Sequence, residues 1–166
     1  CVFIVCGSKT LTENGTLDNL SHRLHEAGVA ILGTHTISRE PEVEDVDHVS
    51  TIVRVFGLKG RTFIMGLGGG SAMDLAKAVA AMAVNHETET VQDYLEGVGK
   101  GLTIKNDPLP VLAVPTTAGT GAEATKNAVI SSYDPLFKKS LRDERLLPHI
   151  ALVDPELTMS ASREVT

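Results

Sequence analysis

Short, continuous runs of β-branched and apolar residues recur along the chain, each separated from the next by a stretch with helical spacing. The runs at 2–6, 29–32, 62–65, 111–114, 128–130 and 150–153 read as strands. Most do not alternate with polar residues, which predicts strands buried on both faces, as in a parallel sheet. Between them, Leu17, Leu20, Leu24 and Ala27 follow at intervals of three and four, and Gly28 stands where a helix would stop. Val46, Val49, Val53 and Phe56 place an apolar stripe on a second helix over 43–56, ending at Gly57. Strand and helix alternating in this way predict an α/β fold, a Rossmann-like, doubly wound and mostly parallel sheet. The stretch 87–110 is the least regular and reads as a surface crossing. At 166 residues the chain is long enough for one domain, 1–166, with a real core.

Charge and cysteine content narrow the function classes. A formal net charge of -6 argues against a nucleic-acid partner, which would need a basic face, though a local cationic pocket for phosphate stays open. No apolar run approaches the roughly 18 residues of a membrane span. Cys1 and Cys6 would fall on opposite faces of one strand, so a bridge between them is not expected, and the chain reads as belonging to a reducing, cytoplasmic compartment. The start has no basic leader ahead of its apolar run and lacks an initiator methionine. The end stops where a helix begins, so both ends read as cut.

Two loops at strand ends carry the chemistry. The first, GLGGGSAMDLAKAVA (66–80), sets four glycines within Gly66 to Gly70 directly before a helix expected from about Ala72. Strand, glycine turn and helix in that order put the turn at the C-terminal edge of the sheet, where open α/β sheets bind ligands. Bare backbone and the free N–H groups of a helix start suit a phosphate. Ser71 reads as the helix cap, with Asp74 in capping-box-like spacing, and Asp74 and Lys77 fall near one face. A capped, buried helix with a local ion pair accounts for the same residues. The turn misses the usual G-x-G-x-x-G pattern, because Ser71 replaces the third glycine, and has no Gly-Lys-Ser/Thr of a P-loop.

The second loop, PTTAGTGAE (115–123), offers the hydroxyls of Thr116, Thr117 and Thr120 beside Gly119 and Gly121. Hydroxyls and bare backbone suit sugar and phosphate oxygens rather than a transition metal. A loop whose hydroxyls bond its own backbone is the alternative. His22 and His25 stand three apart on a helix but off its apolar stripe. The other four histidines lack ligand spacing, so no metal site is expected here.

GGGSAMDLAK (68–77), PTTAGTGAE (115–123) and ALVDPEL (151–157), in that order, resemble the iron-dependent alcohol dehydrogenase family. The resemblance covers nearly the whole chain, but only the N-terminal, cofactor-binding half of the family's architecture. It implies NAD- or NADP-linked interconversion of a small-molecule alcohol and an aldehyde or ketone. Carried over by motif, Gly68, Gly69, Gly70 and Ser71 would hold the pyrophosphate, and Asp74 would sit near the nicotinamide. Thr116, Thr117 and Thr120 would line the adenosine and ribose side. Lys138, with Lys139 as the register alternative, would contact a ribose unless it is a solvated surface lysine, and Leu157 would border the cofactor. Ser8 matches the position where NAD-preferring members carry an aspartate. Followed by Lys9, it would tolerate the 2′-phosphate of NADP, unless the stretch is a plain exposed turn.

The resemblance also implies a C-terminal helical domain, absent from this chain, that holds Fe2+ or Zn2+ and lines the substrate pocket; members often form homodimers. The fragment alone is then expected to be inactive. Glycerol dehydrogenases and dehydroquinate synthases share the glycine turn, but PTTAGTGAE favours the alcohol dehydrogenase branch. Maleylacetate reductases, which work without metal, and a non-catalytic nucleotide-binding module are the alternatives.

Overall fold

A computed structural model describes residues 1–7, 9–57 and 61–159. In chain order the elements are β1 (Val2–Cys6), α1 (Lys9–Glu13), α2 (Thr16–Glu26), β2 (Ile31–Thr36), α3 (Val43–Gly57), β3 (Phe63–Gly68), α4 (Gly70–Met82), β4 (Val111–Pro115), β5 (Asn127–Tyr133), β6 (Leu136–Arg142) and β7 (Ile150–Ala151). Five strands pair in the order β2-β1-β3-β4-β7, every pair parallel. The expected doubly wound parallel sheet is therefore the observed one.

Its core follows from the strand sequences. All five residues of β1 are buried, and their alternation feeds two layers. Phe3 and Val5 meet Val46, Val49 and Val53 of α3 and Leu75 and Val79 of α4, whereas Val2, Ile4 and Cys6 meet Leu11 and Leu17 beneath α1 and α2. Burying each such side chain contributes about 1.5–3 kcal/mol. β1 is followed by a move to β2 on one side, and β3 by a move to β4 on the other. The winding reverses between β1 and β3, where the C-terminal ends of neighbouring strands open a crevice. Cys1 is exposed and Cys6 buried, and no disulfide joins them.

Helix α4 is buried at most positions, and five of its 13 residues are alanine. Gly66 is what lets it lie so close to the sheet: a Cβ there would come 3.0 Å from Ala76 Cβ and 3.2 Å from Met73 Cα. Beyond its C-terminal end, buried Asn85 ties down the irregular crossing. Its amide oxygen accepts from the N–H groups of Lys105 and Asn106, both at 2.8 Å.

Several sequence expectations are corrected. The strand expected at 128–130 does not join the parallel sheet. It is β5, paired antiparallel with β6 in a separate hairpin whose contact with the sheet layer includes one bridge, Glu42 to Ser131. β3 runs three residues further than expected and takes in Gly66 and Gly68. α4 begins at Gly70, so Gly69 is the N-cap and makes no side-chain cap bond. Ser71 lies inside the first turn and caps nothing.

Candidate functional site

The glycine turn closes the C-terminal end of β3. Gly68 ends the strand with φ +152°, its carbonyl accepting from Thr116 N at 2.9 Å. It packs directly on Gly7 at the end of β1: a Cβ on Gly68 would lie 2.6 Å from Gly7 Cα, and one on Gly7 would lie 2.8 Å from Gly68 Cα. These two glycines serve the contact between strand ends, across the point where the sheet reverses. In α4 the amides of Ala72 and Met73 bond to Gly69 O at 3.1 and 3.2 Å. The N–H groups of Gly70 and Ser71 thus precede the first intrahelical bonds and stay available at the positive end of the helix.

The threonine loop lies on this turn. A Cβ on Gly69 would meet Thr117 Oγ1 at 3.1 Å, and one on Gly70 would meet Thr120 Cγ2 at 3.3 Å. The two stretches singled out in sequence are one surface in space. Beside them opens a cleft of about 340 Å³. One wall is Gly70, Ser71 and Asp74. The facing wall is Thr120, Ala122, Thr125, Asn127 and Val129, and Glu40, Pro41 and Lys138 line the mouth.

Asp74 is fixed through both oxygens, Oδ1 at 3.1 Å from Lys77 Nζ and Oδ2 accepting from Val129 N at 3.0 Å. Lys77 is fully buried. Burial pushes its ammonium below the ordinary lysine value, against the pull of Asp74 and Glu123. At the mouth, the Glu40 carboxylate pairs with Lys138 and accepts from Ser131 Oγ at 3.1 Å. Lys138, then Ser131, hold Glu40 below the usual carboxylate range. Lys139 points elsewhere, its Nζ 3.7 Å from the Cβ position of Gly97. Lys138 lines the cleft and Lys139 does not.

Of the residues singled out, Gly70, Ser71, Asp74, Thr120 and Lys138 come together around the cleft. Gly68 and Gly69 shape the turn behind it. Thr116 and Thr117 hold the loop to that turn without lining the cleft. Leu157 is not brought to the cleft; it is half-buried against the Val2, Ile4 and Leu67 cluster beneath α1 and α2. Ser8 lies outside the described residues. Glu40, Pro41, Thr125, Asn127 and Val129 line the cleft without having been singled out from sequence. They belong to no recognisable motif, and Glu40 meets Lys138 across 98 residues of chain.

Among the described residues no group of three or more His, Cys, Asp or Glu side chains is arranged to hold a metal ion. His22 and His25 are exposed, as the helix stripe implied, and His22 lies 3.4 Å from Glu26. No helix among the described residues is long and apolar enough to cross a membrane.

Comparison with known proteins agrees with this geometry. Residues 1–155 match the family described as iron-containing alcohol dehydrogenase. Long-chain-alcohol dehydrogenase 1 of Geobacillus thermodenitrificans is 33% identical over 164 residues, covering 98% of this chain and 39% of that protein. The NAD-dependent methanol dehydrogenase of Bacillus methanolicus is 34% identical over 158 residues, covering 94% and 39%. Among solved structures, sulfoacetaldehyde reductase from Bifidobacterium kashiwanohense in complex with NAD+ superimposes with a TM-score of 0.82 at 31% identity, over 99% of this chain and 41% of that one. The chain thus spans about two fifths of the length of these relatives. Sheet order, glycine turn, threonine loop and similarity across nearly all its length agree: the chain belongs to the iron-containing alcohol dehydrogenase family.

Proposed function

We infer that this chain is the dinucleotide-binding part of an NAD(P)-dependent, metal-dependent oxidoreductase that interconverts an alcohol and an aldehyde or ketone. The observation that carries the reading is the cleft beside the glycine turn, where the start of α4, Thr120 and Lys138 converge. The cradle fits a pyrophosphate. Side chains at Gly69 and Gly70 would fill the space left between turn and threonine loop, and the amides of Gly70 and Ser71 supply donors at a helix N-terminus. In this reading Gly68 shapes the turn and Gly69, Gly70 and Ser71 hold the pyrophosphate. Asp74 stands near the nicotinamide, and Thr120, placed by Thr116 and Thr117, faces the ribose side. Lys138 donates to a ribose hydroxyl while Glu40 balances its charge. Leu157, packed in the cluster beneath α1 and α2, takes no part in this cradle.

The bound nicotinamide would supply the hydride acceptor. A metal, Fe2+ or Zn2+, would polarise the substrate oxygen from a C-terminal helical domain. Leu147, Ile150, Leu152 and Val153, 50–65% exposed along the β7 edge, suit burial against that domain.

The test is made on the full-length protein. NADH fluorescence titration should report binding with or without chelator, while alcohol and aldehyde turnover should require added Fe2+ or Zn2+. Binding without turnover under any metal would point to a non-catalytic nucleotide-binding module. Turnover that survives chelation would point to maleylacetate reductase-like chemistry, and absence of NADH binding would defeat the reading. Parallel titration with NADPH measures the preference that Ser8 is proposed to relax.

A further inference from the structure

Among the described residues Lys77 stands out as a lysine whose side chain is fully enclosed. Its Nζ lies 2.9 Å from Ala122 O, 3.1 Å from Thr125 Oγ1, 3.4 Å from Thr125 O, 2.6 Å from Asn127 O and 3.1 Å from Asp74 Oδ1. An ammonium has three donors, so these five acceptors share them. Three are backbone carbonyls of the segment that leads from the threonine loop into β5. Ala122 belongs to a single 3-10 turn, Ala122–Ala124, and Thr125 to the extended chain after it; both precede the β5–β6 ladder, which begins at Asn127. Buried carbonyls without donors are costly, and Lys77 supplies the donors from the neighbouring helix.

We propose that Lys77 is a positioning residue for the cofactor cleft: it fixes the wall formed by Ala122, Thr125, Asn127 and Val129 at a set distance from the start of α4. Every side-chain hydrogen bond described between α4 and residues 116–130 starts or ends on Lys77 or on Asp74. Asp74 completes the tie by accepting from Val129 N with one oxygen while Lys77 holds the other. The pair therefore pins the facing wall at both ends, from Ala122 to Val129. Nothing in this arrangement gives Lys77 access to a ligand, since no part of it is exposed. Its effect passes through the residues that it holds. The inference rests on the cleft being the dinucleotide site.

Lys77→Met in the full-length enzyme keeps the length and apolarity of the stem and deletes the donors. With the fold intact by far-ultraviolet circular dichroism, the Kd for NADH should rise about tenfold, because a displaced wall no longer matches the ligand. The KM for the nicotinamide cofactor should rise with it, while kcat changes less than about twofold. A residue that only stabilised the fold would lower the melting temperature and leave Kd and KM unchanged below it. An unchanged Kd in a folded Lys77→Met protein overturns the proposal. Should that variant not fold, Thr125→Val removes one acceptor at constant shape and should raise Kd about threefold, with an unchanged value again overturning it. A wild-type protein that binds no NADH would instead defeat the dinucleotide reading itself.

Discussion

Adjacent glycines of the turn have separable duties, and alanine at each position divides them. In Gly68→Ala the new methyl would stand 2.6 Å from Gly7 Cα and 2.8 Å from Gly7 N, where ordinary contact begins at 3.4 Å. Both clashing atoms are backbone, so neither can rotate away. Overpacking of this kind costs about 1–3 kcal/mol, and holding a side chain at φ +152° adds about 1–3 kcal/mol. The entropy removed from the unfolded chain returns only about 0.4–1 kcal/mol. The net loss of about 1–6 kcal/mol corresponds to a melting point lower by about 2–20 °C for a chain of this size. In Gly70→Ala the methyl would meet Thr120 Cγ2 at 3.3 Å, a side chain that can turn, and alanine suits a helix better than glycine by about 0.5–1 kcal/mol. Its melting point should stay within about 2 °C of the wild type. That methyl also projects into the space above the free amides, so NADH affinity should fall about tenfold or more. Thermal melts paired with NADH titration on both variants make the comparison. Equal melting points for Gly68→Ala and wild type would refute the packing argument, and undiminished NADH binding by Gly70→Ala would refute the cradle.

Two further outcomes follow from single side chains. Lys138→Ala should raise the Kd for NADH several-fold, whereas Lys139→Ala, whose side chain lies by Gly97, should leave it within twofold; equal effects would remove Lys138 from the site. His35 is held below its ordinary 6.5 chiefly by burial, with His48 and Arg39 adding to the depression and Asp45 opposing it. The unfolded chain then takes up the proton first, so the stability tied to neutral His35 is complete above pH 6.5 and declines as pH falls through that value. Urea midpoints between pH 5 and 8 should show this slope, and His35→Gln should flatten it.

The parallel sheet was readable because strands such as VFIVC have no polar face, and a strand without a polar face must be covered on both sides. The two ligand loops were readable because glycine and threonine clusters stand directly after such strands. Sequence pattern failed at β6, since FKKSLR sets charges on its solvent-facing positions and buries only Leu141. It also failed at Ser71, where the helix begins earlier than a capping serine would allow, because glycine itself takes the N-cap. Lys77 and Asp74 were legible as a local ion pair. The carbonyls that Lys77 gathers from 122–127 were not, because a backbone acceptor leaves no mark on residue type. Glu40 escaped for a related reason: its partner comes from the far hairpin, and no spacing rule links them.

The β5–β6 hairpin stands apart from the five-stranded sheet, and the cleft runs along the seam between them. Widening that seam breaks side-chain bonds at Lys77, Asp74 and Glu40 and the contacts of Ser131 with the Pro41–Glu42 backbone, but no strand ladder. It would also uncover Ala128, Ile130 and Leu141 of the hairpin, which are buried in one cluster with residues of α3 and α4. A nucleotide in the cleft would bridge the two pieces as an added fastener. Nucleotide binding should then slow amide hydrogen exchange in the hairpin more than in the central strands, which are already protected by their own pairing.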